Sequence, residues 1–256
     1  MTRCIKGIMT NDERLHRNRE YVKKCRAGRS IEQSKHNHLY YTRTWRSWIT
    51  RHAWQAILED KSKGRGCDLD LGFINKLYST NEKCAISGLT LTHDFSLWSL
   101  SIDRIDNSIG HTKLNTQLVC RGINLAKNRH TNADVIYFVE CIKDPSLFKP
   151  EKFSRDYIST CVRNAQAKFA ENDINTDKVV ELYRSQNGEC ALAGVKMACY
   201  AHPCLSLSID RIDNKIGYLV TNIRLVLKAI NRARSTFDDL SVIKWINDIK
   251  ANHGQV

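Results

Sequence analysis

The sequence predicts an α+β protein made of two tandem units, each an antiparallel β-hairpin running into a helix, with flanking helices and a basic N-terminal arm. Three observations carry this. SLSIDRIDN stands at residues 99–107 and again at 206–214. The match continues at a constant offset of 107: Ile109-Gly110 with Ile216-Gly217, Asn115 with Asn222, Leu118-Val119 with Leu225-Val226, Ile123-Asn124 with Ile230-Asn231, and Lys127 with Arg234. Within each copy the apolar pattern changes from helical spacing to alternation and back, as a ββα unit with helices around it requires. At ~150 residues per domain, 256 residues suit two small units. We divide the chain into an arm at 1–40, a first unit at 41–147 and a second at 148–256.

Each element follows from its pattern. Trp45, Trp48, Ile49, Ala53, Ala56 and Ile57 fall on one helical face, as do Ile158, Cys161, Val162, Ala165 and Phe169. A shorter helix holds Phe73, Ile74, Leu77 and Tyr78, matched by Val179, Leu182 and Tyr183 behind a Thr176 cap. NEKCAISG around Cys84 and NGECALAG around Cys190, offset by 106, form a turn. Leu100, Ile102 and Ile105 flank Asp103 in a short strand, 107–110 is a loop, and Asn115 to Cys120 alternates as the second strand. A helix begins near Arg121, and closing helices run from Ala133 to Ile142 and from Leu240 to Ile249. DPSLFKPEKF at 144–153 has two of the three prolines and reads as a linker.

Charge points to a phosphate-bearing partner. Forty Lys+Arg against 27 Asp+Glu leave +13, with the arm holding 10 cations against 4 carboxylates. Such an excess suits the phosphate rows of nucleic acid, and Lys23, Lys24 and Arg26 are the arm's candidate contacts, near a short helix predicted from Asn11 to Cys25. An anionic membrane is the weaker fit, because no helix pairs a wide apolar face with a lysine-rich one. No apolar run approaches the ~18 residues of a membrane span, and the N-terminus has no signal-peptide core, so we expect a cytoplasmic protein.

The ten cysteines include no CxxC pair, which argues against a disulfide framework. Cys190, Cys199, Cys204 and His202 are neighbours in sequence. The first half offers only Cys84 and Cys120 in comparable positions, so we read reduced core thiols and do not expect zinc.

A polar set repeats while the core drifts. In each copy a strand Asp is followed by an Asn 12 residues on and a helix Asn 9 further: Asp103, Asn115, Asn124 and Asp210, Asn222, Asn231. A strand carboxylate and a helix amide brought together supply two hard oxygens, suited to Mg²⁺ with most of its shell left to water and phosphate. The middle Asn is placed to tie the loop to the first strand through its amide. The alternative is structural: Asp-Arg salt bridges with Asn and Asp caps.

SIDRIDNSIGHTKLNTQLVCRGINLAKN, preceded by CAISG, resembles the HNH endonucleases of the His-Me finger (ββα-metal) superfamily, notably phage and restriction-type members with an Asp-Arg pair and a following Gly-Tyr. SIDRIDNKIGYLVTNIRLVLKAINRAR resembles them equally. The resemblance covers about 84–130 and 190–237, the flanking helices loosely and the arm not at all. It implies that Asp103 with Asn124, and Asp210 with Asn231, ligate one Mg²⁺ or Mn²⁺ per copy, with Asn115 and Asn222 orienting the site. One departure stands out. Arg104 and Arg211 occupy the position of the family's first His, the usual base, and a guanidinium cannot accept that proton, though it can clamp a phosphate. His111, which stands where the second copy has Tyr218, is one substitute base, and His93 and His202 are others.

The function these features imply is metal-dependent hydrolysis of DNA phosphodiester bonds, as in restriction, homing or phage nucleases. Lys127, Arg129, Arg232 and Arg234 are expected near the phosphates. Two sites in one chain, a monomeric pseudo-dimer, would suit one cut on each strand of duplex DNA. Two alternatives are a DNA-binding protein that has lost the reaction and an RNA-directed nuclease.

Overall fold

The computed structural model describes residues 45–252. The arm, with Lys23, Lys24, Arg26 and the helix predicted at 11–25, lies outside the described residues. The first repeat contains α1 (Trp45–Ser62), α2 (Leu71–Thr80), β1 (Leu100–Arg104), β2 (Thr116–Cys120), α3 (Arg121–Lys127) and α4 (Asn132–Lys143). The second contains α5 (Arg155–Gln166), α6 (Thr176–Ser185), β3 (Leu207–Arg211), β4 (Ile223–Leu227), α7 (Lys228–Arg234) and α8 (Asp239–Ala251). The fold is mixed α+β with two separate two-stranded antiparallel sheets.

The hairpins share one register. Leu100 pairs with Cys120 and Asp103 with Gln117; Leu207 pairs with Leu227 and Asp210 with Arg224. The loop lengths explain the match, because the same number of residues separates the strands in each copy and a slip of one would turn every apolar side chain outward. Local side chains set the helix starts. Asp70 accepts from Phe73 N at the head of α2, and Thr131 and Asp134 form a capping box on α4. On α6 the cap is Asn175, one residue before the Thr176 predicted, its amide oxygen accepting from Lys178 N.

Both repeats share one hydrophobic core, and 45–252 fall within one compact unit. Helix α3 packs on α7 and α4 on α8, so the hairpin helices meet at the centre. Gly122 of α3 lies under the fully buried Trp245 of α8: a Cβ there would stand 2.6 Å from Trp245 Cε2. Trp98 Nε1 donates to Asp248 Oδ2 at 3.0 Å, and Asn252 Nδ2 donates to Ser87 O at 2.7 Å. The connecting segment expected as a linker is itself packed, with a 3-10 turn at Pro145–Leu147 and Phe148 buried against His202. All eight described cysteines are free thiols. Among the described residues no helix is long and apolar enough to cross a membrane.

Candidate active site

The loop between the strands is held by the middle Asn of each copy. Asn115 Oδ1 accepts from Asp106 N at 2.8 Å, while its Nδ2 donates to Asp106 O at 2.9 Å and Gly110 O at 3.0 Å. Asn222 makes the corresponding bonds to Asp213 and Gly217 at 2.9, 3.0 and 3.0 Å. Both side chains are buried and spend their amides on backbone, so they shape the loop. Arg104 Nη1 donates to Asn107 O and Ile109 O, as Arg211 Nη1 does to Asn214 O and Ile216 O, bracing the same loop from outside. The glycine that follows is forced by a close approach: a Cβ at Gly110 would lie 2.0 Å from Gly66 O, and one at Gly217 2.0 Å from Glu171 O.

Strand alternation turns Ser101 and Asp103 to the side of β1 that faces α3. Asn124 and Lys127, three apart on that helix, meet them: Asn124 Nδ2 donates to Ser101 Oγ at 2.7 Å and Lys127 Nζ to Asp103 Oδ2 at 2.7 Å. The second copy repeats the pattern, with Asn231 on Ser208 at 2.8 Å and Arg234 on Asp210 at 3.1 Å. This corrects the expectation that Lys127 and Arg234 contact DNA phosphate. Lys127 is fully buried and also donates to Arg104 O and Ile105 O; Arg234 is buried between Asp210 and Asp239. Each neutralises a buried carboxylate, which is costly to leave unpaired.

The two carboxylates then differ. Asp103 Oδ2 takes Lys127 and Gln117 Nε2, the latter at 2.8 Å, and no donor among the described residues reaches its Oδ1. Asn124 Oδ1 is likewise unclaimed. These are two hard oxygens on one strand–helix face, and they fit a Mg²⁺ or Mn²⁺ ion that keeps most of its water. Asp210 has nothing to spare: Arg224 Nε holds Oδ2 at 2.9 Å and Arg234 Nη1 holds Oδ1. Both arginines also grip Asp239. Burial pushes the Asp210 carboxyl up despite the two guanidiniums, whereas hydrogen bonds from Arg224, then Arg234, hold Asp239 down at about 2. Asp210 with Asn231 therefore does not fit a metal ion, against expectation. The signal was in the sequence: Gln117, facing Asp103, becomes Arg224 in the second copy.

In the first repeat a cavity of about 670 Å³ opens between α1, β1 and α3, with Asp103, Arg104, His111 and Asn124 in its wall. Five cations, Lys63, Arg65, Arg104, Arg121 and Arg129, line it against two carboxylates, Glu59 and Asp103. Helix α1 adds His52, stacked on Trp48 with its Nδ1 on Trp48 O at 2.9 Å; burial lowers its pKa. At the end of α1 the fully buried Asp60 accepts from His111 N at 2.5 Å and engages His111 Nδ1 at 2.7 Å. Burial would raise the Asp60 carboxyl, but its bonds from His111 hold it below the ordinary value. Sequence reading missed Asp60, His52 and Arg65, because the first helix and the turn after it lie outside the closely repeated motif at 99–127.

In the second repeat the arginine at the end of the first strand packs on aromatic rings. Arg211 lies over Phe169 at 4.2 Å and Tyr218 at 5.3 Å. Arg129 is exposed at the first cavity, whereas Arg232 is turned inward, donating to Pro203 O and Cys204 Sγ. His93 and His202 do not line the cavity; His202 Nδ1 accepts from Leu205 N at 3.1 Å. Among the described residues no three His, Cys, Asp or Glu side chains gather as a metal cluster. Compared with protein-family models, curated proteins and solved structures, the chain matches none.

Proposed function

We propose that the protein is a metal-dependent DNA endonuclease of HNH-like, ββα-metal type, in which the first repeat cuts and the second holds duplex DNA. The observation that carries this is the asymmetry of the two Asp–Asn pairs. One leaves two hard oxygens free in the wall of a cationic cavity; in the other both oxygens of Asp210 are held by Arg224 and Arg234. Asp103 and Asn124 would hold the Mg²⁺ or Mn²⁺, which when bound supplies charge stabilisation at the departing 3′ oxygen. Arg104 keeps guanidinium nitrogens that the loop does not use, and with Arg129 and Arg65 it clamps the phosphate flanking the cut. Lys127 holds Asp103 in place from beneath. The basic arm adds phosphate contacts along the duplex.

The test is cleavage of supercoiled DNA with Mg²⁺, Mn²⁺ or EDTA, with duplex RNA as the comparison substrate. Wild type nicks DNA in either metal and not in EDTA. Asn124→Ala lowers the rate about a hundredfold or more, while Asn231→Ala cuts at the wild-type rate. Equal loss in both variants would restore two active sites, and activity in EDTA would overturn metal dependence.

A second reading, a DNA-binding protein without the reaction, is favoured by one observation: Asp103 as well as Asp210 already has a buried cationic partner. Tight, salt-sensitive DNA binding with no cleavage under any metal would establish it.

A further inference from the structure

The structure assigns the missing base: we infer that His111, held by the buried carboxylate of Asp60, takes the proton from the attacking water in the first-repeat cavity. This rests on the endonuclease reading above. Asp60 comes from the last turn of α1, 51 residues before His111, and reaches it through two contacts to one oxygen, the backbone N–H and ring Nδ1. A carboxylate on Nδ1 fixes the proton there and leaves the Nε2 lone pair outward. Nε2 has no partner among the described residues, and His111 lines the cavity with Asp103 and Asn124.

The surroundings keep Asp60 ionised. Its Oδ1 is buried without a hydrogen bond, with Arg65 Nη1 at 3.5 Å and Arg104 Nη1 at 4.0 Å. The groups facing His111 are Asp60 and Glu59 from α1, Arg65 just beyond it, and Arg104 from β1. Arg104, at the end of β1 in the same cavity, is a guanidinium and cannot take the proton, whereas His111 sits on the loop and the carboxylate that orients it comes from the preceding helix. The second copy lacks the pair: Tyr218 replaces His111, and its backbone N–H donates to Glu171 O.

The step balances simply. Water gives a proton to His111 Nε2 as its oxygen bonds to phosphorus; the P–O3′ bond breaks, the 3′ oxygen takes a proton from solvent, and His111 returns its own to solvent. Asp60 touches no substrate and is a positioning residue.

The experiment measures DNA cleavage by the full chain with Mg²⁺ over a range of pH. His111→Asn keeps an amide donor for Asp60 and removes the base. It is expected to lose about a hundredfold or more in rate, to bind DNA as wild type does, and to lose the acidic limb of the pH–rate profile. In His111→Ala, added imidazole restores part of the rate. Asp60→Asn lowers kcat about tenfold or more with KM unchanged, and the double variant Asp60→Asn with His111→Asn is no slower than His111→Asn alone. Additive losses in the double variant would make Asp60 merely structural and overturn the pair. Full activity in His111→Asn with loss in His52→Gln would assign the base to His52 and overturn the proposal. No cleavage by wild type under any metal would overturn the endonuclease reading and the pair with it, whereas wild-type cleavage matched by His111→Asn overturns the pair alone.

Discussion

Asp103 and Asp210 occupy equivalent places on equivalent strands, yet their surroundings give them different chemistry. A glutamine opposite the first leaves one carboxylate oxygen free; an arginine opposite the second takes it. That arginine draws in Asp239 and makes a four-membered charge network with Arg234. The network has a pH signature. Asp239 is held at about 2 in the folded chain, below its unfolded value of about 4. Its contribution is therefore present above about pH 4 and is lost as pH falls toward 2. Asp210, raised by burial, works with the opposite sign and gains stability on protonation. We expect denaturant unfolding to show wild type more stable than Asp239→Asn at pH 6 by about 1 kcal/mol or less, since the carboxylate is partly exposed. The difference should close between about pH 4 and 2; a difference constant to pH 2 would remove Asp239 from the network.

At the scale of the element, the ββα unit is held by a loop whose geometry both copies share. Three hydrogen bonds from one buried amide fix it, and an arginine braces it from the other side. Asn115→Ala and Asn222→Ala should each destabilise by about 1–3 kcal/mol, because each leaves buried backbone groups unpaired. Thermal melts check this, and the two losses should agree closely since the bonds do. Gln in place of either Asn should not rescue, as its longer side chain cannot reach the same three backbone atoms. The sequence displayed this element fully: two diverged copies retaining Asp, Asn and Gly at fixed spacing mark the positions where backbone geometry leaves no alternative. It displayed the helices nearly as well, but it carried the second copy's first helix on to Phe169, past its end at Gln166, and missed the Asn175 cap, where an adjacent Thr offered the same chemistry one residue later.

At the scale of the molecule, the repeats are joined through their hairpin helices. Gly122 permits Trp245 to lie on α3; the second copy has Ala229 at the equivalent place, so the contact is one-sided. Gly122→Ala sets a methyl 2.6 Å from an indole that is completely buried. We expect a loss of about 1–3 kcal/mol, seen as one cooperative transition at a lower midpoint, because both copies share a core. Two resolved transitions would show that the halves unfold separately.

The sequence by itself determined the duplication, the α+β class, the placing of the strands, the loop-holding role of Asn115 and Asn222 and the basic character of the chain. Each of these is local, or is written twice. Burial and partnership are neither. Lys127 and Arg234 look like surface cations until packing places them under a carboxylate. The tertiary structure alone decided that Asp103 keeps an oxygen free beside a cavity while both oxygens of Asp210 are held by arginines, and that Asp60, 51 residues upstream, reaches His111. The reason is that a side chain's charge state and reach depend on what surrounds it in space, and helix α1, which supplies Asp60 and one wall of the cavity, lies outside the closely repeated motif.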